Sequence, residues 1–197
     1  MKKLFTLLFS LICTLSFSQT ASFSGIIHSK IQYFDSLGRD ITKSEEGKRK
    51  LESHYYINKN GYKTINEKDE LVQIYSTKDN VYHFNYENGW QQLPATFEFP
   101  KLIKIEHLPG EEEILGYTCG KLRLISSVGE TIYWYSLDLK VDQDNYSQHL
   151  FGNWSEYLKA TNGGIALKYE FTMNGAKTIS TAYEIEKVEH DETAFDL

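Results

Sequence analysis

Cysteine is nearly missing from this chain: two residues in 197, Cys13 and Cys119. If a leader carrying Cys13 is removed, Cys119 stands alone, which excludes an internal disulfide and leaves stability to packing. Proline is as scarce, with three residues in all, so few positions are barred from strand ladders. Basic charge is also in short supply: 21 Lys and Arg stand against 27 Asp and Glu, for a formal net charge of −6. That balance argues against nucleic acid and anionic membrane surfaces, both of which demand clustered cations. The one basic cluster, Lys48-Arg49-Lys50, follows Glu45-Glu46 and reads as a solvated loop. Beyond Phe17 no segment is apolar enough to span a bilayer.

What is present begins with a leader pattern. Met1, Lys2 and Lys3 give a basic start, and Leu4 to Phe17 is almost free of charge. Ser16-Phe17-Ser18 then places small side chains at alternate positions, as a signal peptidase requires. A signal peptide over residues 1–18 is expected, leaving 19–197 as a single β-rich domain exported to the periplasm, the outer membrane or beyond. The apolar run is shorter than the roughly 20 residues of a membrane span. Leu11-Ile12-Cys13 offers an alternative, lipidated start, although a lipid attachment site favours a small residue where Ile12 stands.

Fourteen Tyr, eleven Phe and three Trp supply β-prone aromatic bulk. From Phe23 to Phe34, Ile27, Ser29, Ile31 and Tyr33 alternate with His28, Lys30 and Gln32, the period of a half-buried strand. Asp35 to Lys50 loses the period and reads as a loop, a candidate flap, with a short helix around Lys43 to Lys50. Strand-like runs follow at 51–58, 62–66, 71–76, 81–86 and 90–93. Asn-Gly pairs and short polar clusters between them predict tight hairpins, hence antiparallel strands. After Pro94 and Pro100 a strand is expected at 102–107, then a Pro109-Gly110 turn. Further strands are expected at 117–125, 131–136, 165–173 and 179–190. Residues 146–160, with Leu150, Trp154, Tyr157 and Leu158 near one face, predict a helix. The expected fold is mainly β: a curved, incompletely closed antiparallel sheet covered by one or two helices.

The residue patterns of common active sites are missing. His28, His54, His83, His107, His149 and His190 are dispersed without metal-ligand spacing. Asp142-Gln143-Asp144 starts like a calcium loop that the following residues do not complete. Cys119 reads as a structural thiol within a strand rather than a nucleophile served by His149. No catalytic residue, metal or cofactor is expected, and the protein reads as a non-enzymatic binding protein. The expected ligand face, taken by alternation, is Ile27, Ile31, Tyr55, Ile57, Ile65, Leu122, Leu124, Trp134, Leu167 and Tyr169. Its partner would be an apolar small molecule, an acyl chain or an envelope protein, in a cavity beneath Trp134. The alternative is a structural or interaction module whose inner face is a sealed core.

One segment carries a family resemblance. Ile114-Leu115-Gly116-Tyr117-Thr118-Cys119-Gly120-Lys121-Leu122 resembles the Ile-Leu-Gly-Tyr-x-Cys-x-Lys signature of exported bacterial proteins of the GLPGLI-like group, whose function is unknown. The Glu-Thr-Ile-Tyr-Trp-Tyr-Ser run at 130–136 and the Gly-rich turn into a strand at Gly163 to Glu170 follow in the same order. Ala160-Thr161-Asn162-Gly163-Gly164-Ile165 stands where the name-giving motif would be. The resemblance implies a LolA-like fold, as in lipoprotein carriers, and export beyond the inner membrane. It brings no catalytic residues.

Overall fold

Along the first strand, β1 (Gly25–Phe34), the alternate residues Ile27, Ser29, Ile31 and Tyr33 are all buried, while Lys30 and Gln32 are exposed. The computed structural model describes residues 22–46, 48–86 and 89–196. The expected leader and Cys13 lie outside them.

Strands β2 (Glu52–Asn58), β3 (Gly61–Asn66), β4 (Leu71–Ser76), β5 (Val81–Tyr86) and β6 (Gly89–Pro94) form a hairpin meander on one side of β1. On the other side lies β11 (Ala176–Lys187), then β10 (Gly164–Met173), β9 (Gly129–Lys140), β8 (Tyr117–Ser126) and β7 (Leu102–Ile114). All eleven belong to one sheet, and every pairing is antiparallel. The first and last strands are neighbours at its centre, and β6 and β7 form its two edges. The sheet is therefore open, as the sequence implies.

The expected 146–160 helix is interrupted. A 3-10 turn at Gln143–Tyr146 and another at Phe151–Asn153 precede the only full turns, α2 (Trp154–Thr161). Gly152 (φ +72°) and Asn153 (φ +59°) adopt left-handed backbone that breaks the helix. The cause is tertiary: the N–H groups of Leu150 and Phe151 donate to the Ala95 carbonyl, and Gly152 N–H donates to that of Phe99. Bonds from the linker after β6 thus replace helical ones. Trp154, Tyr157 and Leu158 keep the predicted face, with the last two fully buried.

Two smaller expectations also change. Pro109-Gly110 is a bulge inside β7 rather than a turn ending it, with the register shifting between Leu108 and Glu112. An edge strand tolerates a residue without an N–H at such a bulge. The helix expected near 43–50 is a single turn, α1 (Thr42–Glu45).

Helix α2 ends on two left-handed residues, Asn162 (φ +51°) and Gly163 (φ +78°), with Gly163 N–H donating to the Leu158 carbonyl at 2.8 Å. A Cβ on Gly163 would lie 2.0 Å from the Val141 carbonyl oxygen, whereas one on Gly152 would meet nothing within 4 Å. Gly163→Ala should therefore cost at least ~2 kcal/mol and Gly152→Ala only about 1 kcal/mol, the left-handed penalty alone. Urea titrations of the two variants compare them directly. Equal losses would show that Val141 moves aside.

Candidate functional site

Between the concave face of the sheet and the broken helical segment lies a cavity of about 440 Å³. Ile27 on β1 and Leu167 on β10 give it aliphatic walls, and both are buried. Tyr55, Tyr62, Tyr82 and Trp154 enclose one end. Tyr55 and Tyr62, cross-strand diagonal neighbours on β2 and β3, have ring centroids 5.5 Å apart, and Trp154 meets Tyr55 edge-on at 6.4 Å. Trp154 stacks on Tyr157 at 5.3 Å, and Tyr157 packs on Tyr133 of β9 at 4.5 Å. A continuous aromatic path therefore runs from β2 through α2 to β9 and forms the roof. The Tyr157 hydroxyl fixes it by donating to the Gly164 carbonyl at 2.8 Å.

Behind the roof, His149 is 1 % exposed and sits among Tyr62, Tyr75, Tyr82 and Trp154. Its Nε2 shares a hydrogen bond with the Tyr62 hydroxyl at 2.7 Å, while Nδ1 has no partner among the described residues. Burial pushes its pKa down to about 3, so the ring is neutral. Burial also raises the hydroxyls of Tyr55 and Tyr62 well above their ordinary value of 10. This end of the cavity is uncharged, and the Tyr55 hydroxyl and Trp154 Nε1 find no hydrogen-bond partner among the described residues.

The opposite end combines hydroxyls with aromatic rings: Ser29, Ser53, Thr178 and Ser180 line it together with Lys50, and Tyr169 and Phe171 of β10 pair with Ser180 and Thr178. Tyr33 donates its hydroxyl to the Lys50 carbonyl at 2.9 Å and so anchors the residue at the end of the 35–50 loop. Lys50 is half-buried, and burial lowers its pKa. The sequence reading of Lys48-Arg49-Lys50 as a solvated loop thus fails at Lys50. Alternation gives no signal for a residue that enters the cavity from outside a strand.

Of the ten residues expected on the ligand face, Ile27, Tyr55, Leu167 and Tyr169 line the cavity. Ile31, Ile57, Leu122 and Leu124 face the same side and are buried in the core. The other two are displaced. Ile65 pairs with His54, on the face opposite Tyr55 and Thr64. Trp134 pairs with Lys121 on one side and Lys168 on the other, opposite Tyr133. Its ring is covered on that outer face by the ammonium groups of Lys168 at 4.1 Å and Lys121 at 5.6 Å. The cavity therefore lies under Trp154, not Trp134.

Elsewhere, Cys119 is fully buried, and burial holds its thiol protonated with a pKa near 11. Histidines distant in sequence do meet on the outer face: His28 Nδ1 lies 2.7 Å from His54 Nδ1, and His28 Nε2 lies 3.2 Å from Glu186 Oε1. Their pairing follows from the β1–β2 and β1–β11 registers, which spacing along the chain does not express.

No family model and no curated protein matches the chain. Among solved structures, PNGF-II aligns with 87 % of this chain at 16 % identity and a TM-score of 0.48. This chain spans only 29 % of that protein's length. A LolA superfamily protein of Nitrosomonas europaea aligns over 89 % of this chain and 91 % of its own, at 6 % identity and TM-score 0.38. Lipoprotein LppX of Mycobacterium tuberculosis aligns over 84 % and 89 %, at 11 % identity and TM-score 0.36.

Proposed function

We propose that this protein is a non-enzymatic binding protein of the bacterial cell envelope, and that its cavity holds an acyl chain, free or attached to a partner. The observation that carries the reading is the cavity of about 440 Å³, enclosed by Ile27, Leu167, Tyr55 and Trp154 rather than filled by them. That volume falls within the ~300–1,000 Å³ of ordinary small-molecule sites. Burying methylene groups there would contribute about 0.8 kcal/mol each. Export is supported by the Met1 to Ser18 leader pattern, and the resemblance at Ile114 to Leu122 points to the same compartment. The alternative, a module with a sealed core, is disfavoured by that same unfilled volume.

Native mass spectrometry of the protein purified from its own envelope, combined with uptake of a fluorescent fatty acid, tests the reading. Co-purified lipid and saturable uptake are expected. Ser53→Phe, which adds bulk to the cavity wall, should weaken uptake by at least about tenfold while costing about 1–3 kcal/mol of stability, as is typical of overpacking. A clean apo mass, with no uptake by the wild type, would remove the proposal.

A further inference from the structure

The lining of the cavity holds two lysines and neither Asp nor Glu, in a chain whose acids outnumber its bases by 27 to 21. One of the two is committed elsewhere, since the Lys168 ammonium lies 3.3 Å from Glu112 and over the Trp134 ring. Lys50 forms no ion pair among the described residues. Glu67, the acid whose charge acts on it, has its carboxylate turned to the backbone N–H groups of Leu51 and Glu52, each at 3.3 Å. A half-buried cation without a partner is costly unless something of opposite charge arrives.

Position adds direction. Ile27 pairs with Tyr55 and Ser29 with Ser53, and Ile31 N–H donates to the Leu51 carbonyl, next to Lys50. Moving along β1 from Ile27 to Ile31, roughly 13 Å at ~3.3 Å per residue, therefore leads from the aromatic end to the lysine end. Hydroxyls of Ser29, Ser53 and Ser180 lie on the way to Lys50, with the Tyr169 ring beside Ser180, and the roof of Trp154 covers the other end. Apolar walls therefore run the length of the cavity, while its serine hydroxyls and its unpaired cation gather at one end, as the head of an amphiphile requires.

We propose that the cavity selects a single-chain amphiphile with an anionic head, the tail lying under Trp154 and the head meeting Lys50 and the hydroxyls of Ser29 and Ser53. This inference rests on the acyl-chain reading and names the ligand class within it. Carboxylate and phosphate monoester heads share the required chemistry, and the cavity volume suits one chain rather than several.

Dodecanoic acid, dodecyl phosphate and dodecanol separate the possibilities when each displaces a fluorescent fatty acid from the full mature chain at low salt. At least one charged probe should bind about tenfold more tightly than the alcohol, the worth of one charge-assisted contact. Whichever of the two it is identifies the natural head as carboxylate or phosphate. Lys50→Met, which keeps the aliphatic stem, should abolish that advantage, so that charged probe and dodecanol bind alike when compared within the variant, and added salt should shrink it in the wild type. Equal binding of acid, phosphate and alcohol, or an advantage that survives in Lys50→Met, overturns the head-group assignment but leaves the acyl-chain reading standing. Failure of all three probes to bind the wild type overturns both.

Discussion

Acidification from pH 6.5 toward 3 is expected to cost this protein on the order of 3–5 kcal/mol of stability through His149 alone. The sign follows from proton counts. In the unfolded chain the imidazole takes up a proton near its ordinary pKa of 6.5, whereas in the fold it resists protonation down to about 3. Between those values the unfolded state binds more protons, so stability falls as pH falls, by at most ~1.4 kcal/mol per pH unit. Above 6.5 both states are neutral at this site and the effect vanishes. The carboxylates whose pKa values are lowered, Asp35, Asp40, Glu67, Glu106 and Asp191, start from ordinary values of 3.8 to 4.5. They therefore act lower on the scale than the interval from 6.5 to 5, where a His149 variant reads the imidazole directly. Urea midpoints measured across that interval should slope in the wild type and flatten in His149→Phe, which keeps an aromatic ring among Tyr62, Tyr75 and Tyr82. A slope of the same size in the variant would assign the acid sensitivity to another group.

The sheet was legible wherever one face meets water. β4 and β5 fall at the limits that their sequence runs suggest. A polar turn precedes each, and Asp69 and Asn80 supply the positive φ, at +60° and +52°. Legibility stops where both faces are covered. In β9 the run Ile132-Tyr133-Trp134-Tyr135 offers no polar alternation, so the largest side chain, Trp134, reads as inward. Only the register with Lys121 and Lys168 shows that lysine stems cover it from outside. The break at Gly152 has the same origin, because Leu150 to Gly152 exchange helical bonds for the carbonyls of Ala95 and Phe99, more than fifty positions earlier in the chain. Lys50 and Trp154 enter the cavity from a loop and from a helix, neither of which the period of two describes.

Removing the ring of Tyr157 should both destabilise the protein and open its cavity. With eight residues, α2 is too short to be stable by itself, so it persists through the face it buries. Tyr157 is the centre of that face: 1 % exposed, between Trp154 and Tyr133, with its hydroxyl on the Gly164 carbonyl. Tyr157→Ala should cost roughly 3–5 kcal/mol, typical of deleting a buried aromatic ring. Tyr157→Phe, which loses one hydrogen bond while the Gly164 carbonyl still faces the Thr161 hydroxyl at 3.3 Å, should cost only about 1 kcal/mol. The functional consequence separates the two further. Trp154 reaches over the cavity because Tyr157 supports its ring, so the Ala variant should lose fatty-acid uptake even under conditions where circular dichroism reports an intact sheet, while the Phe variant keeps it. Uptake that persists in a folded Tyr157→Ala protein would mean that the sheet alone holds the ligand and that α2 only seals the core beside it.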